Sequence, residues 1–410
     1  MTTRLHDTAS DRLLELRPRH GAYGVYVCGI TPYDSAHLGH AFTYHVFDVV
    51  TRRLRAAGVD VISVRNVTDC DDDIFRVARE RGIPHRRLVA EQVERFEAEM
   101  ELIGIETPSA RPAASAHVPA MIDWIVRLEA VGFAYAVEGW VYFAVARFDR
   151  YGSLSGLPPE RMLALSRERG ADPDDPRKRD PLDFVLWQPS LPDELAWESP
   201  WSGAGRPGWH IECSVLAAGH LPHGIDLHGG GDDLVYPHHE SEIAQAEAVG
   251  DRPFARHWAH VAMVQLDGVK MSKSLGNLVF TGDLAARAGS GAVRLLLAAH
   301  HYRTAWSYQE EELAEAAGRV AALDAALASD GAVDVEPARR LEAAFLERLD
   351  DDLDTPGALR VLDEAAAAVT PSRAGSPGTV GAGALLPRML DLLGVRLGAG
   401  TRRPGQAPVG

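Results

Sequence analysis

Apolar and polar residues alternate along this chain in two distinct ways. Short runs of β-branched and aromatic residues, the first at 25–27 and the second at 59–67, predict buried strands. Between them, apolar residues from 41 to 50 recur at intervals of three and four and predict a helix that faces the core. Gly29 and Pro32 end the first run, so this part of the sequence predicts a strand, a loop and a helix in succession.

The rest of the chain continues this alternation and then changes to helices alone. We predict helices at 71–102 with a break at 82–84, and at 116–131, 292–299, 310–327, 341–349, 358–369 and 385–393, and strands at 139–145 and 226–234. A segment rich in charge, Asp and Pro, at 168–183, predicts an insertion between two halves of a sheet domain. The predicted fold class is therefore α/β: a Rossmann-like parallel sheet with an inserted connective domain and a C-terminal helical bundle. Its predicted parts are the first half of the Rossmann-like domain at 1–110, the connective domain at 111–190, the second half of the Rossmann-like domain at 191–300, a helical domain at 301–397 with a flexible stretch at 371–384, and a disordered tail at 398–410.

The composition is that of an acidic globular protein. The chain has 410 residues, of which 46% are hydrophobic and 24% charged, and its formal net charge is −16. No stretch reaches the ~20 apolar residues of a membrane span, and residues 1–19 lack the hydrophobic core of a signal peptide. We therefore expect a cytoplasmic protein without a membrane partner. The charge argues against a protein that grips a long nucleic acid, although a local basic patch would be compatible with it.

Two histidines in the loop after the first strand could bind an anion. His37 and His40 are three positions apart, so both imidazoles can lie on one side of the first turn of the following helix. The positive end of that helix also favours a phosphate group. By itself, however, the spacing is more often that of two surface histidines near a helix start.

Lysine is rare in this chain, which gives weight to the lysines that remain. Of 42 basic side chains only three are lysine, Lys178, Lys270 and Lys273, which leaves 39 arginines. Two of the three lie three positions apart, next to a stretch rich in Ser and Gly at 271–277. Two lysines in a chain that otherwise uses arginine indicate a need for a compact, mobile ammonium as a point charge on a phosphate group. Chance could also produce the pair.

The two segments together resemble a known pair of motifs. The sequence His-Leu-Gly-His at 37–40 is similar to the HIGH motif of the class I aminoacyl-tRNA synthetases, and Lys-Met-Ser-Lys-Ser at 270–274 reproduces their KMSKS motif. In that family the first motif holds the phosphates of ATP, and the second is a flexible loop whose lysines stabilise the α-phosphate during adenylation. The resemblance implies that ATP is a substrate, together with Mg²⁺. It also implies four catalytic residues: His37, His40, Lys270 and Lys273.

The cysteines are candidates for metal ligands. Three of them are too few for a disulfide framework in a cytoplasmic chain. Cys28 ends the first strand and Cys213 lies far downstream, while His238 and Glu242 are four positions apart and share one face of a helix. Two thiolates, an imidazole and a carboxylate are a reasonable set for Zn²⁺. From spacing alone, small buried cysteines are the more common alternative.

The segments around these residues resemble the cysteinyl-tRNA synthetases and their relatives. The sequences Trp-His-Ile-Glu-Cys at 209–213 and Pro-His-His-Glu at 237–240 occur in that family. The resemblance implies one zinc ion per chain, bound by Cys28, Cys213, His238 and, as a weaker fourth ligand, Glu242. A thiophilic metal would separate cysteine from serine, which differs by one atom and which an apolar pocket would distinguish only ~10 to 200-fold.

The same resemblance implies the residues that bind the cysteinyl adenylate. Asp233 would bind the ammonium of the amino acid and Trp209 would lie beneath it, although each alone would be taken for a helix cap or a core residue. Asp232 departs from the usual serine of the family, which leaves its role open. Cys70 stands where the family has an aliphatic residue, and we expect it to be buried and inert. The implied set is Cys28, Gly29, Ile30, Thr31, Thr43, Asn66, Val67, Thr68, Trp209, Gly231, Asp232, Asp233 and Val264.

Two families share this core and differ in the acceptor of the cysteinyl group. Cysteinyl-tRNA synthetases use tRNA, and mycothiol ligases use the amine of glucosaminyl-inositol. The segments 28–34 and 168–173, the latter Glu-Arg-Gly-Ala-Asp-Pro, resemble the ligases. The sequences of segments 178–184, 240–245 and 301–303 instead resemble those of the tRNA enzymes. We therefore expect a monomer with L-cysteine, ATP and glucosaminyl-inositol as small-molecule partners, and keep an enzyme that charges tRNA or another amine as the alternative. No general base for the transfer step follows from the sequence.

Overall fold

The computed structural model describes residues 2–33, 36–201, 203–221, 223–250, 252–271, 275–371 and 373–397. The strands of this part of the chain are β1 Arg4–Asp7, β2 Arg12–Glu15, β3 Tyr23–Ile30, β4 Val61–Val67, β5 Ala134–Val137, β6 Trp140–Phe143, β7 Phe184–Pro189, β8 Trp197–Ser199, β9 Gly203–Pro207, β10 Leu227–Gly231, β11 Trp258–Val261, β12 Val264–Leu266, β13 Val269–Lys270, β14 Trp306–Tyr308, β15 Ala332–Asp334 and β16 Thr379–Gly381. The α-helices are α1 Leu38–Ala56, α2 Asp72–Arg81, α3 His85–Leu102, α4 Val118–Ala130, α5 Pro159–Glu168, α6 Trp209–His220, α7 Glu240–Glu247, α8 Thr281–Ala288, α9 Ser290–Ala298, α10 Glu310–Ala328, α11 Val335–Asp350, α12 Thr355–Ala367 and α13 Ala382–Leu392.

Four parallel strands form the central sheet, in the order β11-β10-β3-β4. Two of them come from the first 67 residues and two lie beyond residue 226, so the sheet joins two distant parts of the chain. Every residue of β10 and all but one of β3 are buried, as expected for parallel strands covered on both faces. The carboxyl ends of the strands meet at one edge, where open α/β sheets bind ligands. The predicted α/β fold with a Rossmann-like sheet is confirmed.

The glycines of β10 allow α1 to pack closely on this sheet. A Cβ atom at Gly229 would lie 1.9 Å from the Cζ atom of Phe47, which is a buried residue of α1. A side chain at this position would therefore displace the helix. This close packing places the start of α1 beside the carboxyl ends of β3 and β10.

A five-stranded antiparallel sheet separates the two halves of the central sheet along the chain. Its strand order is β5-β6-β7-β9-β8, and α4 packs against β5 and β9. Its last strand along the chain ends at Pro207, beyond residue 190, where the sequence analysis ends the connective domain. The domain boundaries stay a prediction.

The C-terminal helices pack on one another and on the sheet domain. Helices α10 to α13 contact each other, and α13 contacts α1. Arg294 of α9 is fully buried, pairs with Asp48 of α1, and donates to the carbonyl oxygen of Leu393 at 2.6 Å. The predicted flexible stretch at 371–384 is wrong in its second half, because β16 pairs with β15 and α13 begins at Ala382. None of the described helices is both long and apolar enough to cross a membrane.

Candidate functional site

The site is assembled from both halves of the central sheet. Cys28 lies near the end of β3, and Cys213 lies in α6, which follows the five-stranded sheet. His238 belongs to a short π-helical segment, Val235–His239, that leads into α7, where Glu242 lies in the first turn. All four side chains are buried. The fold therefore brings together the four residues that the sequence analysis selected as metal ligands.

The ligand atoms of these four residues lie within 4.8 Å of one another. Cys28 Sγ is 3.8 Å from Cys213 Sγ and 3.6 Å from Glu242 Oε1. The Nε2 atom of His238 is 3.2 Å from the same Glu242 oxygen. Two sulfurs, an imidazole nitrogen and a carboxylate oxygen therefore converge on one buried point. Such a cluster could hold a metal ion.

A second group of donors shares two members with the first. Cys28, His228, His239 and Glu242 also have ligand atoms within 4.8 Å of one another. In this group, however, His228 Nε2 lies 2.9 Å from Glu242 Oε2, which is an ordinary hydrogen-bond distance. His239 Nδ1 lies 2.7 Å from the Nε2 atom of His260. The Nε2 atom of His239 also lies 3.3 Å from Cys28 Sγ. His228 and His239 thus contact Glu242 and Cys28, as second partners of metal ligands commonly do.

Burial favours the uncharged forms of Cys28, His238 and Glu242. It raises the pKa of the Cys28 thiol, with a further contribution from the neighbouring Cys213, and raises the pKa of the Glu242 carboxyl. Burial also lowers the pKa of the His238 imidazole. A bound cation would reverse the preference of the Cys28 thiol and the Glu242 carboxyl, because it stabilises their negative forms.

Several aromatic rings surround the cluster. Trp209 stacks on His238 with ring centroids 4.1 Å apart, and His210 Nδ1 lies 2.9 Å from His238 Nδ1. His228 stacks on Trp258 with centroids 4.4 Å apart. The sequence analysis assigned no role to His210, His228, His239 or His260. One signal was present, since His228 is a polar residue inside a strand that is otherwise apolar or glycine.

The histidine motif forms the start of α1. His37 is the N-cap of α1, where its Nδ1 atom accepts a hydrogen bond from the backbone of Gly39, and its ring stacks on that of His40 with centroids 3.9 Å apart. The chain that follows the lysine motif passes beside this turn. His37 forms an isolated β-bridge with Phe280, and the N–H of Leu38 donates to the carbonyl of Val279 at 2.8 Å. Lys270 is described at the end of β13, whereas Lys273 lies outside the described residues.

The carboxyl ends of β3 and β4 are joined by Asn66. Its Oδ1 atom accepts from the backbone N–H of Gly29 at 2.7 Å and its Nδ2 atom donates to Thr68 at 3.1 Å. A Cβ atom at Gly29 would overlap the Asn66 carbonyl oxygen at 1.5 Å, so only glycine fits this approach. The other residues that the resemblance implies for the pocket differ in burial. Ile30 and Val264 are buried, whereas Thr31 and Val67 are half-buried. The hydroxyl of Thr43 donates to the Gly39 carbonyl at 3.2 Å.

Two aspartates follow the end of β10. Asp233 Oδ2 accepts from Lys270 Nζ at 3.0 Å and from Arg169 Nη1 at 3.4 Å. A Cβ atom at Gly231 would lie 2.6 Å from Asp233 Oδ1, so a side chain there would displace this carboxylate. Burial, and then the charge of Asp233, raises the pKa of Asp232 to about 6. The pair therefore forms a negatively charged rim at the carboxyl end of the sheet.

Cys70 is separate from the metal cluster. Its side chain is buried, and its Sγ atom lies 3.3 Å from Glu212 Oε1. Burial, followed by the charge of Glu212, raises the pKa of this thiol. A thiol held neutral has little nucleophilic character, which agrees with the expectation of a buried, inert residue.

The sequence matches the family of tRNA synthetases class I (C) catalytic domains over residues 16–318. The chain belongs to this family. Over nearly its whole length it is also similar to enzymes named L-cysteine:1D-myo-inositol 2-amino-2-deoxy-alpha-D-glucopyranoside ligase, the mycothiol ligases of the sequence analysis. The protein of that name from Thermobifida fusca is 46% identical over 96% of this chain and 94% of its own length.

The chain is also similar to proteins with other names. A cysteine–tRNA ligase from an Anaeromyxobacter species is 44% identical over 89% of this chain and 77% of its own length. Among solved structures, Mycobacterium tuberculosis methionyl-tRNA synthetase in complex with methionyl-adenylate has a TM-score of 0.64 with 18% identity, and the match covers 85% of this chain and 82% of the other. That likeness supports the fold and carries no information on the substrate.

Proposed function

We propose that this protein activates L-cysteine with ATP and transfers the cysteinyl group to the amine of glucosaminyl-inositol. The products of the first step are cysteinyl adenylate and pyrophosphate, and AMP leaves in the second step. One observation carries the choice of amino acid: a buried Cys28, Cys213, His238 and Glu242 cluster at the same sheet edge as the histidine and lysine motifs.

The spacing of this cluster fits zinc. Two sulfur ligands of one tetrahedral zinc ion, each bound at ~2.3 Å, lie about 3.8 Å apart, and a sulfur and an oxygen ligand lie about 3.6 Å apart. The distances from Cys28 Sγ to Cys213 Sγ and to Glu242 Oε1 are 3.8 Å and 3.6 Å. The contact between His228 and Glu242 is shorter, at 2.9 Å, which supports a positioning role for His228 and a ligand role for the first set.

A zinc ion held there would favour a substrate thiol over a hydroxyl, because zinc is thiophilic. Around it, the protein's own side chains would fix the rest of the amino acid. Trp209 stacks on His238 and offers an apolar face next to the cluster. Asp233 offers a carboxylate for the ammonium group. These contacts would turn the substrate carboxylate toward the nucleotide motifs.

Activation requires charge stabilisation at the α-phosphate of ATP. The substrate carboxylate oxygen attacks the α-phosphorus, and the bond to the pyrophosphate oxygen breaks. We propose that His37, His40, Lys270 and Lys273 donate to the phosphate oxygens as negative charge develops, with Mg²⁺ bound to the nucleotide. The stacked rings of His37 and His40 support this assignment, because they lie at the start of α1, where the helix dipole favours an anion.

The acceptor is assigned by similarity. The relatives named as glucosaminyl-inositol ligases are 44–46% identical to this chain, and the segment 168–173 resembles those enzymes. The net charge of −16 also favours a small acceptor over tRNA. We expect the acceptor amine to attack the carbonyl of the adenylate, with AMP as the leaving group. A cysteine–tRNA ligase is the second candidate, favoured by relatives of that name at 44% identity.

Two assays test the proposal: the first tests cysteine activation, and the second separates the two acceptors. Cysteine-dependent exchange between ATP and pyrophosphate tests the first step, and serine should give no exchange above background. AMP release is then measured with glucosaminyl-inositol and with tRNA in parallel. A burst of AMP with the sugar alone supports the ligase. Exchange with a burst from tRNA alone would leave cysteine activation intact and overturn the acceptor.

A further inference from the structure

One carboxylate oxygen joins three separate parts of the chain. Asp233 Oδ2 lies in the turn after β10 and contacts both Lys270 Nζ, at 3.0 Å, and Arg169 Nη1, at 3.4 Å. Lys270 ends β13 at the start of the lysine motif, and Arg169 follows α5 in the inserted part of the chain. Lys270, which the proposed function assigns to ATP, therefore contacts Asp233, which the proposed function assigns to the amino acid.

The charged side chains at this turn balance one another. Asp232 and Asp233 supply two carboxylates, and Lys270 and Arg169 supply two cations. An incoming amino acid adds an ammonium group, so three cations would compete for two carboxylates. At the same time, ATP brings negative charge for which a lysine is a suitable partner. Moving Lys270 from Asp233 to the nucleotide restores the balance at both places.

We propose that Asp233 exchanges Lys270 for the ammonium of the amino acid, and that Arg169 is the positioning residue that holds the carboxylate during this exchange. The inference rests on the proposed function, since it takes an amino acid as the ligand of Asp233. It adds a specificity role for Arg169 and a coupling between the two substrates. The amino acid would release Lys270, and ATP would then bind more tightly.

Arg169 is better placed than Lys270 to stay on Asp233. Its side chain is 29% exposed, against 46% for Lys270. It directly follows α5, and Ser166 of that helix lies 3.0 Å from the hydroxyl of Tyr236, in the segment that follows Asp233. A planar guanidinium also keeps its geometry at a carboxylate better than a flexible ammonium does. Arg169 is therefore held by the inserted part of the chain. Lys270 lies on β13, a strand of two residues at the edge of its sheet.

Exchange kinetics test the positioning role. In the ATP–pyrophosphate assay, Arg169→Ala should raise the KM for cysteine by about 10-fold, the effect of losing one charge-assisted hydrogen bond, and leave kcat within about threefold. Arg169→Lys should recover part of the loss. Arg167→Ala is the matched control, because Arg167 lies two positions earlier, in the last turn of α5, and pairs with Asp174 instead. A KM in Arg169→Ala equal to that of Arg167→Ala overturns the proposal and leaves cysteine activation standing.

Binding of ATP tests the exchange itself. Cysteinol keeps the ammonium and thiol of cysteine but has no carboxylate to react, and 3-mercapto-1-propanol also lacks the ammonium. Cysteinol should tighten ATP binding by about 5- to 10-fold, a usual coupling between two sites, and 3-mercapto-1-propanol should not. The coupling should disappear in Asp233→Asn. Equal effects of the two alcohols in the unmodified protein overturn the exchange, and absence of cysteine-dependent turnover would instead overturn the proposed function on which it rests.

Discussion

Cys28 and Cys213 place their sulfur atoms 3.8 Å apart although 185 positions separate them in the sequence. One belongs to a strand of the first half of the central sheet, and the other to the helix that opens the second half. The candidate metal cluster can therefore form only when the two halves are joined. In the proposed function, residues around this contact decide the choice of amino acid.

Replacing Cys213 by serine should remove the metal and the activity together. A serine hydroxyl is a poor ligand for zinc, and the remaining donors would leave the site incomplete. We expect the zinc content to fall from about one per chain to near zero, with loss of cysteine-dependent exchange, as measured by elemental analysis and the exchange assay. Cys70→Ser is the matched control, because Cys70 contacts Glu212 and should leave the zinc content unchanged. A zinc-replete, active Cys213→Ser protein would contradict the assignment.

His228 should affect the metal without binding it. Its Nε2 atom lies 2.9 Å from Glu242 Oε2, so it holds the carboxylate oxygen other than the one that contacts Cys28. His228→Ala should weaken zinc binding by about 10- to 100-fold, as loss of a partner behind a metal ligand usually does. Competition with a chelator of known affinity measures the change. Complete loss of zinc would instead make His228 a ligand, in the set with Cys28 and His239.

The sequence predicted the elements whose hydrophobic pattern is strong. The runs at 25–27 and 59–67 became β3 and β4, and the predicted break at 82–84 separates α2 from α3. The parallel sheet is confirmed because β-branched runs alternating with helices leave few other arrangements. The metal candidates needed the family resemblance, since a spacing of 185 positions carries no local signal.

Other features depend on contacts that no local pattern records. The hairpin of β1 and β2 was not predicted. It is held by a contact with β11, because the N–H of Trp258 donates to Asp7 Oδ1 at 2.8 Å. The strand β16 has three residues and exists by pairing with β15. His239 and His260 look like ordinary core histidines in the sequence. The structure places ring nitrogens of the two residues 2.7 Å apart and His239 Nε2 3.3 Å from Cys28 Sγ.

His40→Ala should lower the turnover of cysteine activation more than the binding of cysteine. A donor that acts on developing phosphate charge contributes mainly in the transition state, so kcat of the exchange should fall by about 10²- to 10³-fold with a small change in the KM for cysteine. His20→Ala, at an exposed position, is the control. Steady-state exchange kinetics check the prediction. A large rise in the KM for cysteine with unchanged kcat would place His40 in amino-acid binding instead.

Asp71 should make the protein less stable as the pH rises. Burial is the main reason that its pKa is raised from 3.8 to about 6, although its side chain also caps α2 by accepting from the N–H of Asp73 at 2.9 Å. A raised pKa means that the folded state binds the proton more tightly than the unfolded state. The stabilising contribution of the protonated form is fully present below pH 3.8 and is lost as the pH rises through about 6.

Asp71→Asn should therefore be more stable than the unmodified protein above pH 6 and similar to it near pH 4. Asparagine caps a helix as well as aspartate does, so the substitution removes the buried charge and keeps the cap. We expect a gain of roughly 1–3 kcal/mol in the free energy of unfolding at pH 8, for a shift of about two pKa units that partial exposure reduces. Urea unfolding at pH 4, 6 and 8 measures it. Asp73→Asn is the control, since that side chain pairs with Arg76 at an exposed position. A gain of the same size at pH 4 and pH 8 would mean that the substitution acts through packing and that Asp71 is ionised throughout this range.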